Sequence, residues 1–340
     1  MIGALAALAP AVPVAVLVAS LVALLAALLA CGAAAVYVAR VFRRFAHPEH
    51  APCFETPADH GLEHEPFSVT TEDGVNISGW LFTPPEARGV VIVCHPRNSN
   101  KSRVLRQIKI LVESGVAVAV FDFRGCGDSG QPRWTIRSTM AEPLRDLEAV
   151  ARLVERRVAH DPWLGRRIAL FGCSFGGNMA IAHAGTTRRR YAALVLDSTP
   201  LIHWQDMLDA LLARERRDSR WRAPRALCDR LAILLLVAWT GTEALYRRAQ
   251  ASARNLRDTP LLLILGERDG FFDVSESCRF AAENYAGAVE VWHVTRGRHL
   301  TNHWAAPEEY AARVRSFLDQ AFEARDGASP TTTRPGEARP

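Results

Sequence analysis

Hydrophobic and polar positions divide the chain into unlike stretches. From Met1 to Ala39 no side chain is charged, and from Val14 to Ala39 nearly every residue is Ala, Val or Leu. A helix over 14–39 would be about 39 Å long at about 1.5 Å per residue, against a bilayer core of about 30 Å. One transmembrane helix is therefore predicted, with Pro10 and Pro13 near its start, where proline is tolerated. A cleaved signal peptide needs a basic leader and a shorter apolar core. Leu28-Leu29-Ala30-Cys31 faintly matches a lipoprotein cleavage site, but the apolar run continues past Cys31 through Val38.

After this stretch, short apolar runs alternate with segments of helical period. Arg167–Phe171, Pro260–Gly266 and Val289–Val294 read as strands. Helical spacing puts Val104, Leu105, Ile108 and Leu111 on one face over 102–114. It does the same for Leu144, Leu147, Val150, Ala151 and Val154 over 139–159, and for Tyr310, Val314, Phe317 and Leu318 over 307–322. Such alternation predicts a mostly parallel sheet covered by helices on both faces, in one α/β domain of roughly 250 residues. Pro48, Pro52, Pro57 and Pro66 mark an irregular linker, and 323–340, rich in Ala, Arg, Pro, Thr and Gly, is expected to be disordered. The expected organisation is 1–44 as membrane helix and basic flank, 45–66 as linker, 67–322 as the α/β domain with an insertion over 200–259, and 323–340 as a tail.

The chemistry centres on Gly172-Cys173-Ser174-Phe175-Gly176-Gly177, between an apolar strand and the helical segment Asn178–Ala184. Strand, Gly-x-Ser-x-Gly, then helix is the setting of a nucleophile elbow, where a tight turn lifts the serine hydroxyl above the sheet. Partners follow downstream. Asp269 comes just after the strand Pro260–Gly266, and His299 soon after Val289–Val294. All three fall past the C-terminal ends of strands, the edge on which open α/β sheets carry their sites. His303 competes with His299 as base but reads as the start of the next helix. Asp273 and Asp197 compete with Asp269 as acid; Asp273 reads as the cap of a helix beginning near Val274, and Asp197 ends an earlier strand. His95, Cys173 and His183 read as structural, and Asp122 and Arg124 as loop supports.

The order Ser174, Asp269, His299 is that of the α/β-hydrolases. From about Phe67 to Phe322 the chain resembles that superfamily, in particular its serine aminopeptidase-like and dienelactone hydrolase-like bacterial branch. Asp73–Leu81 resembles the opening hairpin, Gly89–Pro96 the strand into the oxyanion loop, Phe121–Ser129 the D-x-R-G-x-G-x-S turn, and Val195–Ser198 the strand before the cap. The resemblance implies an α/β-hydrolase fold with a mostly parallel eight-stranded sheet and a helical cap over 200–259. It also implies a membrane-anchored serine hydrolase that cleaves a carboxylic ester, with Ser174 as nucleophile, His299 as base and Asp269 as acid. A peptidase or an acyl-thioesterase on the same triad, and a non-catalytic binding protein of the same fold, are the alternatives. The chain departs from the family at His95-Pro96, where His-Gly is usual. Pro96 has no N–H to donate, so the oxyanion hole is expected from the backbone N–H groups of Phe175 and Arg97. The competing reading is that Pro96 bends the loop away and leaves one donor.

Composition adds limits. The net charge is +5 and the arginines are scattered, without a basic stripe interleaved with aromatics, so nucleic acid is not expected as a partner. A small acyl substrate and the membrane are. Within the insertion, Arg214, Arg216, Arg217, Arg220, Arg222 and Arg225 surround Trp221, and Leu231–Trp239 is apolar but too short to span a bilayer. This reads either as a buried cap helix with a solvated basic face or as a cap resting on anionic lipid. Arg40, Arg43 and Arg44 after the membrane helix orient the catalytic domain to the cytoplasm; seven cysteines without disulfide-like spacing agree. His60-Gly61-Leu62-Glu63-His64 matches an H-x-x-E-H zinc pattern, but that pattern must lie on a helix and Gly61 and Pro66 crowd it, so it is read as chance. No metal site and no cofactor are expected.

Overall fold

Alternation within each apolar run decides how the chain folds. In β3 (Val90–Cys94), Val90, Ile92 and Cys94 pack into one layer and Val91 and Val93 into the other. In β4 (Ala117–Phe121) and β7 (Leu261–Gly266) the two layers are shared out in the same way. Strands buried on both faces read as unbroken apolar runs, and each buried Val, Leu or Ile contributes about 1.5–3 kcal/mol. The structure is a computed structural model that describes residues 14–46, 52–131, 141–160, 167–201 and 242–323.

Among these residues the strands form one eight-stranded sheet. The others are β1 (Glu65–Thr70), β2 (Asn76–Phe82), β5 (Ile168–Cys173), β6 (Leu194–Asp197) and β8 (Val289–Val294). The order is β1-β2-β4-β3-β5-β6-β7-β8. The hairpin β1–β2 and the pair β2–β4 are antiparallel, and every other pair is parallel. The winding direction reverses at β3, which lies between β4 and β5. A crevice therefore opens beyond the C-terminal ends of β3 and β5, where α/β sheets hold their ligands.

Preceding the sheet is α1 (Val14–Ala46), whose Leu21, Leu25, Leu28 and Leu29 are exposed. Its stretch Val14–Tyr37 is long and apolar enough to cross a membrane. On one face of the sheet lie α3 (Pro143–His160), α4 (Phe175–Ala184), α5 (Thr242–Ala253) and α6 (Val274–Asn284), the named apolar face of α3 being buried. On the other lie α2 (Leu105–Glu113) and α8 (Pro307–Glu323), preceded by the short α7 (Asn302–Ala305).

The proline-rich stretch before β1 packs on the domain. Thr56 and Asp59 cap a 3-10 turn over Pro57–His60, Pro57 is buried, and Leu62 packs against the layer that holds α2. His60 pairs with Glu55, while the His64 ring packs on Trp80 and Phe82, so no helix carries both histidines. The arginine cluster, Leu231–Trp239 and the rest of 202–241 lie outside the described residues, as does 324–340; α5 returns the chain from the insertion onto α4.

Candidate active site

β5 ends at Cys173 and α4 begins at Phe175, so Ser174 alone turns the chain, at φ 51 and ψ −116. A side chain in that region is strained and is retained only where its surroundings fix it. The glycines are what fix it. A Cβ on Gly172 would lie 2.4 Å from Cα of Gly177, and one on Gly176 would lie 2.2 Å from the Cys94 carbonyl oxygen. Strand, elbow and the end of β3 are thus in backbone contact, and no larger residue fits.

The turn lifts the Ser174 hydroxyl to His299. Oγ lies 3.0 Å from Nε2, and Nδ1 lies 2.8 Å from Oδ2 of Asp269. Because the carboxylate can only accept, Nδ1 carries the proton and Nε2 is free to accept from the serine. The Asp269 side chain is fully buried, and its second oxygen accepts from the Phe271 N–H at 2.9 Å. The His299 side chain itself remains 23% exposed.

The competing residues are engaged elsewhere. Asp273 caps α6 by accepting from the Ser275 N–H at 2.9 Å. Asp197 is buried and accepts from Asn302 Nδ2 at 2.7 Å, Tyr310 Oη at 2.8 Å and Ser198 Oγ at 3.0 Å. His303 Nδ1 meets Gln107 Nε2 at 3.1 Å, and burial lowers the ring's pKa. Cys173, beside the elbow, has its thiol pushed up by burial, and Cys126 is raised to about 12. Burial therefore keeps these thiols protonated.

His95 shapes the loop after β3. Nδ1 lies 2.7 Å from the Pro96 carbonyl oxygen and Nε2 accepts from the Phe123 N–H at 3.0 Å. The pairing fixes the tautomer with the proton on Nδ1, and burial favours the neutral ring. No peptide among the described residues is cis. In a trans peptide C=O and N–H point oppositely. Holding the Pro96 carbonyl on His95 therefore turns the Arg97 N–H away from that ring.

Comparisons with known proteins bear on the fold that carries these residues. A sequence model of the family described as serine aminopeptidase, S33, matches residues 85–233. A solved esterase of Pyrococcus furiosus superposes with a TM-score of 0.63 at 25% identity, covering 81% of this chain and 97% of that one. The chain belongs to the α/β-hydrolase superfamily. Among curated relatives, polyketide transferase GrgF of a Penicillium species is 37% identical over 145 residues, 42% of this chain and 46% of that protein. YfhR of Salmonella typhimurium is 28% identical over 233 residues, 61% of this chain and 75% of YfhR. The chain thus spans about half of the first relative and three quarters of the second.

Several supports of the hydrolase site escaped the sequence reading. The ring of Phe271 stacks on His299 at 4.7 Å and 27°, and Phe272 meets it edge-on at 6.0 Å. The aromatic pair beside Asp269 was the available signal. Leu300, at φ 62, donates its N–H to Ser198 Oγ, and Ser198 is itself at φ 53. Two strained residues thus brace each other directly behind His299. Asp122 and Arg124, by contrast, were expected as loop supports: Asp122 gathers the Lys101 N–H, the Asp128 N–H and Lys101 Nζ, and Arg124 joins Asp146 to Asp73. Cys53, Asp122 and Asp128 bring possible ligand atoms within 4.8 Å of one another. Lys101 Nζ lies 2.5 and 2.6 Å from the two carboxylates, so an ammonium already supplies the positive charge there.

Proposed function

We propose that this protein is a membrane-anchored serine hydrolase that cleaves a carboxylic ester through an acyl-enzyme. The observation that carries the reading is the unbroken run of hydrogen bonds from Ser174 through His299 to Asp269. His299 takes the hydroxyl proton as Ser174 Oγ attacks the carbonyl carbon. Asp269 holds the ring in its Nδ1–H tautomer and stabilises the imidazolium. The N–H groups of Phe175, which opens α4, and Arg97, oriented through His95, receive the developing oxyanion. His299 returns the proton to the leaving alcohol, then activates water to release the acid.

The esterase name of the Pyrococcus relative supports an ester over an amide. The serine aminopeptidase match over 85–233 favours a second reading, peptide cleavage on the same triad. The membrane helix with its basic flank supports a catalytic domain on the cytoplasmic side. The test is a panel of p-nitrophenyl esters of graded acyl length run beside aminoacyl p-nitroanilides, with fluorophosphonate labelling. Ester turnover that disappears together with labelling in Ser174→Ala is expected. Anilide turnover exceeding ester turnover would favour the peptidase, and full labelling of Ser174→Ala would refute the assignment.

A further inference from the structure

The chain that leaves α1 is fastened beside the mouth of the site. Asn100 Nδ2 donates to the Pro52 carbonyl at 3.0 Å, and Cys53 Sγ lies 3.8 Å from Lys101 Nζ. Asn100 and Lys101 are three and four residues past Arg97. The tether to this point is short. Nine residues of α1 follow Tyr37 and rise about 14 Å. From Ala46 to Pro52 six peptide steps reach at most about 23 Å. A domain of roughly 250 residues has a radius of gyration of about 18 Å, so the tether cannot pass round it to the opposite end of the sheet. With α1 in a bilayer, the edge carrying the C-terminal ends of the strands is the edge held toward the lipid.

That edge carries side chains suited to lipid headgroups. Phe54, next to the fastened Cys53, is 75% exposed, and Trp304, five residues past His299, is 57% exposed. The guanidinium of Arg106 stacks on the Trp304 ring at 3.5 Å. Arg103, in the 3-10 turn Lys101–Val104, and Arg106, in the first turn of α2, are both exposed. An exposed tryptophan with an arginine over its ring offers an apolar body and a cationic head together, the pairing that lodges at a membrane–water interface. Anionic headgroups complement the two arginines.

We infer that Phe54, Arg103, Arg106 and Trp304 form a membrane-contacting rim, on which the active-site mouth rests against the headgroup layer of the bilayer that holds α1. The site then draws its ester from that layer. The inference rests on the hydrolase reading and on α1 spanning the membrane.

The test uses the full chain in nanodiscs of phosphatidylcholine with phosphatidylglycerol, in two arms. In the first, brominated lipids quench tryptophan fluorescence. α1 contains no tryptophan, so quenching reports the rest of the chain, and Trp304→Phe is expected to lower it. In the second, hydrolysis of p-nitrophenyl palmitate held in the bilayer is compared with that of water-soluble p-nitrophenyl acetate. The paired change Phe54→Ser and Trp304→Ser is expected to lower the palmitate-to-acetate ratio at least five-fold while acetate turnover stays within two-fold. Equal quenching in wild type and Trp304→Phe, or an unchanged ratio, would overturn the rim. Turnover of neither ester by the wild type would refute the hydrolase reading, and the quenching arm would still decide the rim. Release of the wild type from membranes by alkaline carbonate would refute the anchor and the rim with it.

Discussion

Ser174, Asp269 and His299 were each legible, because every one follows a strand that its own apolar run announces. What holds them was less so. His95 could be named as structural, but its task depends on two partners, the Pro96 carbonyl and the Phe123 N–H, that meet only once β3 and β4 are paired. On the proposed mechanism His95 is a positioning residue. His95→Leu frees the Arg97 peptide to rotate and leaves the Phe123 N–H buried without an acceptor. Loss of one oxyanion donor costs about 10²–10³ in rate, so kcat should fall by about that factor with KM within a few-fold. His95→Gln, which keeps a donor and an acceptor, should recover part of it; equal loss in both variants would point to a packing role alone. Phe271 was only half legible: the aromatic pair beside Asp269 signals a ring near the site, but nothing in Gly270-Phe271-Phe272 shows which ring will lie on the imidazole. A cation over an aromatic face gains about 0.5–1 kcal/mol, so Phe271→Leu should lower kcat/KM two- to five-fold, whereas Phe271→Tyr should stay near wild type, both read with a soluble ester.

Among the elements, α4 joins the site to the core most tightly. Gly176→Ala would press a methyl into the Cys94 carbonyl, a contact no rotamer can relieve. Overpacking costs about 1–3 kcal/mol, so a lower melting temperature together with loss of fluorophosphonate labelling is expected. At the other end of α4, His183 is buried against the Tyr191 hydroxyl at 2.9 Å, and burial lowers its pKa from 6.5 to about 4. Above pH 6.5 the ring is neutral folded and unfolded alike. As pH falls from 6.5 toward 4 the unfolded chain takes up a proton that the folded one refuses, and stability declines. A gap of 2.5 pH units corresponds to about 3 kcal/mol by pH 4. Urea unfolding at pH 7 and pH 4.5 should show the fall, and His183→Gln should reduce it. The central strands were legible because two buried faces leave no polar position. The 3-10 turn over Pro57–His60 was not, because proline-rich composition signals irregular chain whether or not that chain is packed, and here Leu62 and the Thr56–Asp59 cap pack it.

For the whole molecule, the apolar leader and the α/β sheet were separable by composition alone: one is uncharged along its length, the other alternates. Which edge of the sheet the leader serves could not be read, because that depends on Asn100 and Lys101 seizing residues nearly fifty positions upstream. The full chain is expected to remain with membranes through alkaline carbonate, and a chain starting at Pro52 to be soluble; sedimentation after carbonate extraction checks both. The packed segment ahead of β1 also sets where a soluble enzyme has to start. Trimming to Phe67, the first residue by family likeness, would strip Pro57 and Leu62 from the layer over α2. Even a half-buried leucine contributes about 1 kcal/mol, and Pro57 beside it is buried, enough to turn a well-behaved preparation into inclusion bodies, so a protein chemist choosing the first codon should keep those fifteen residues.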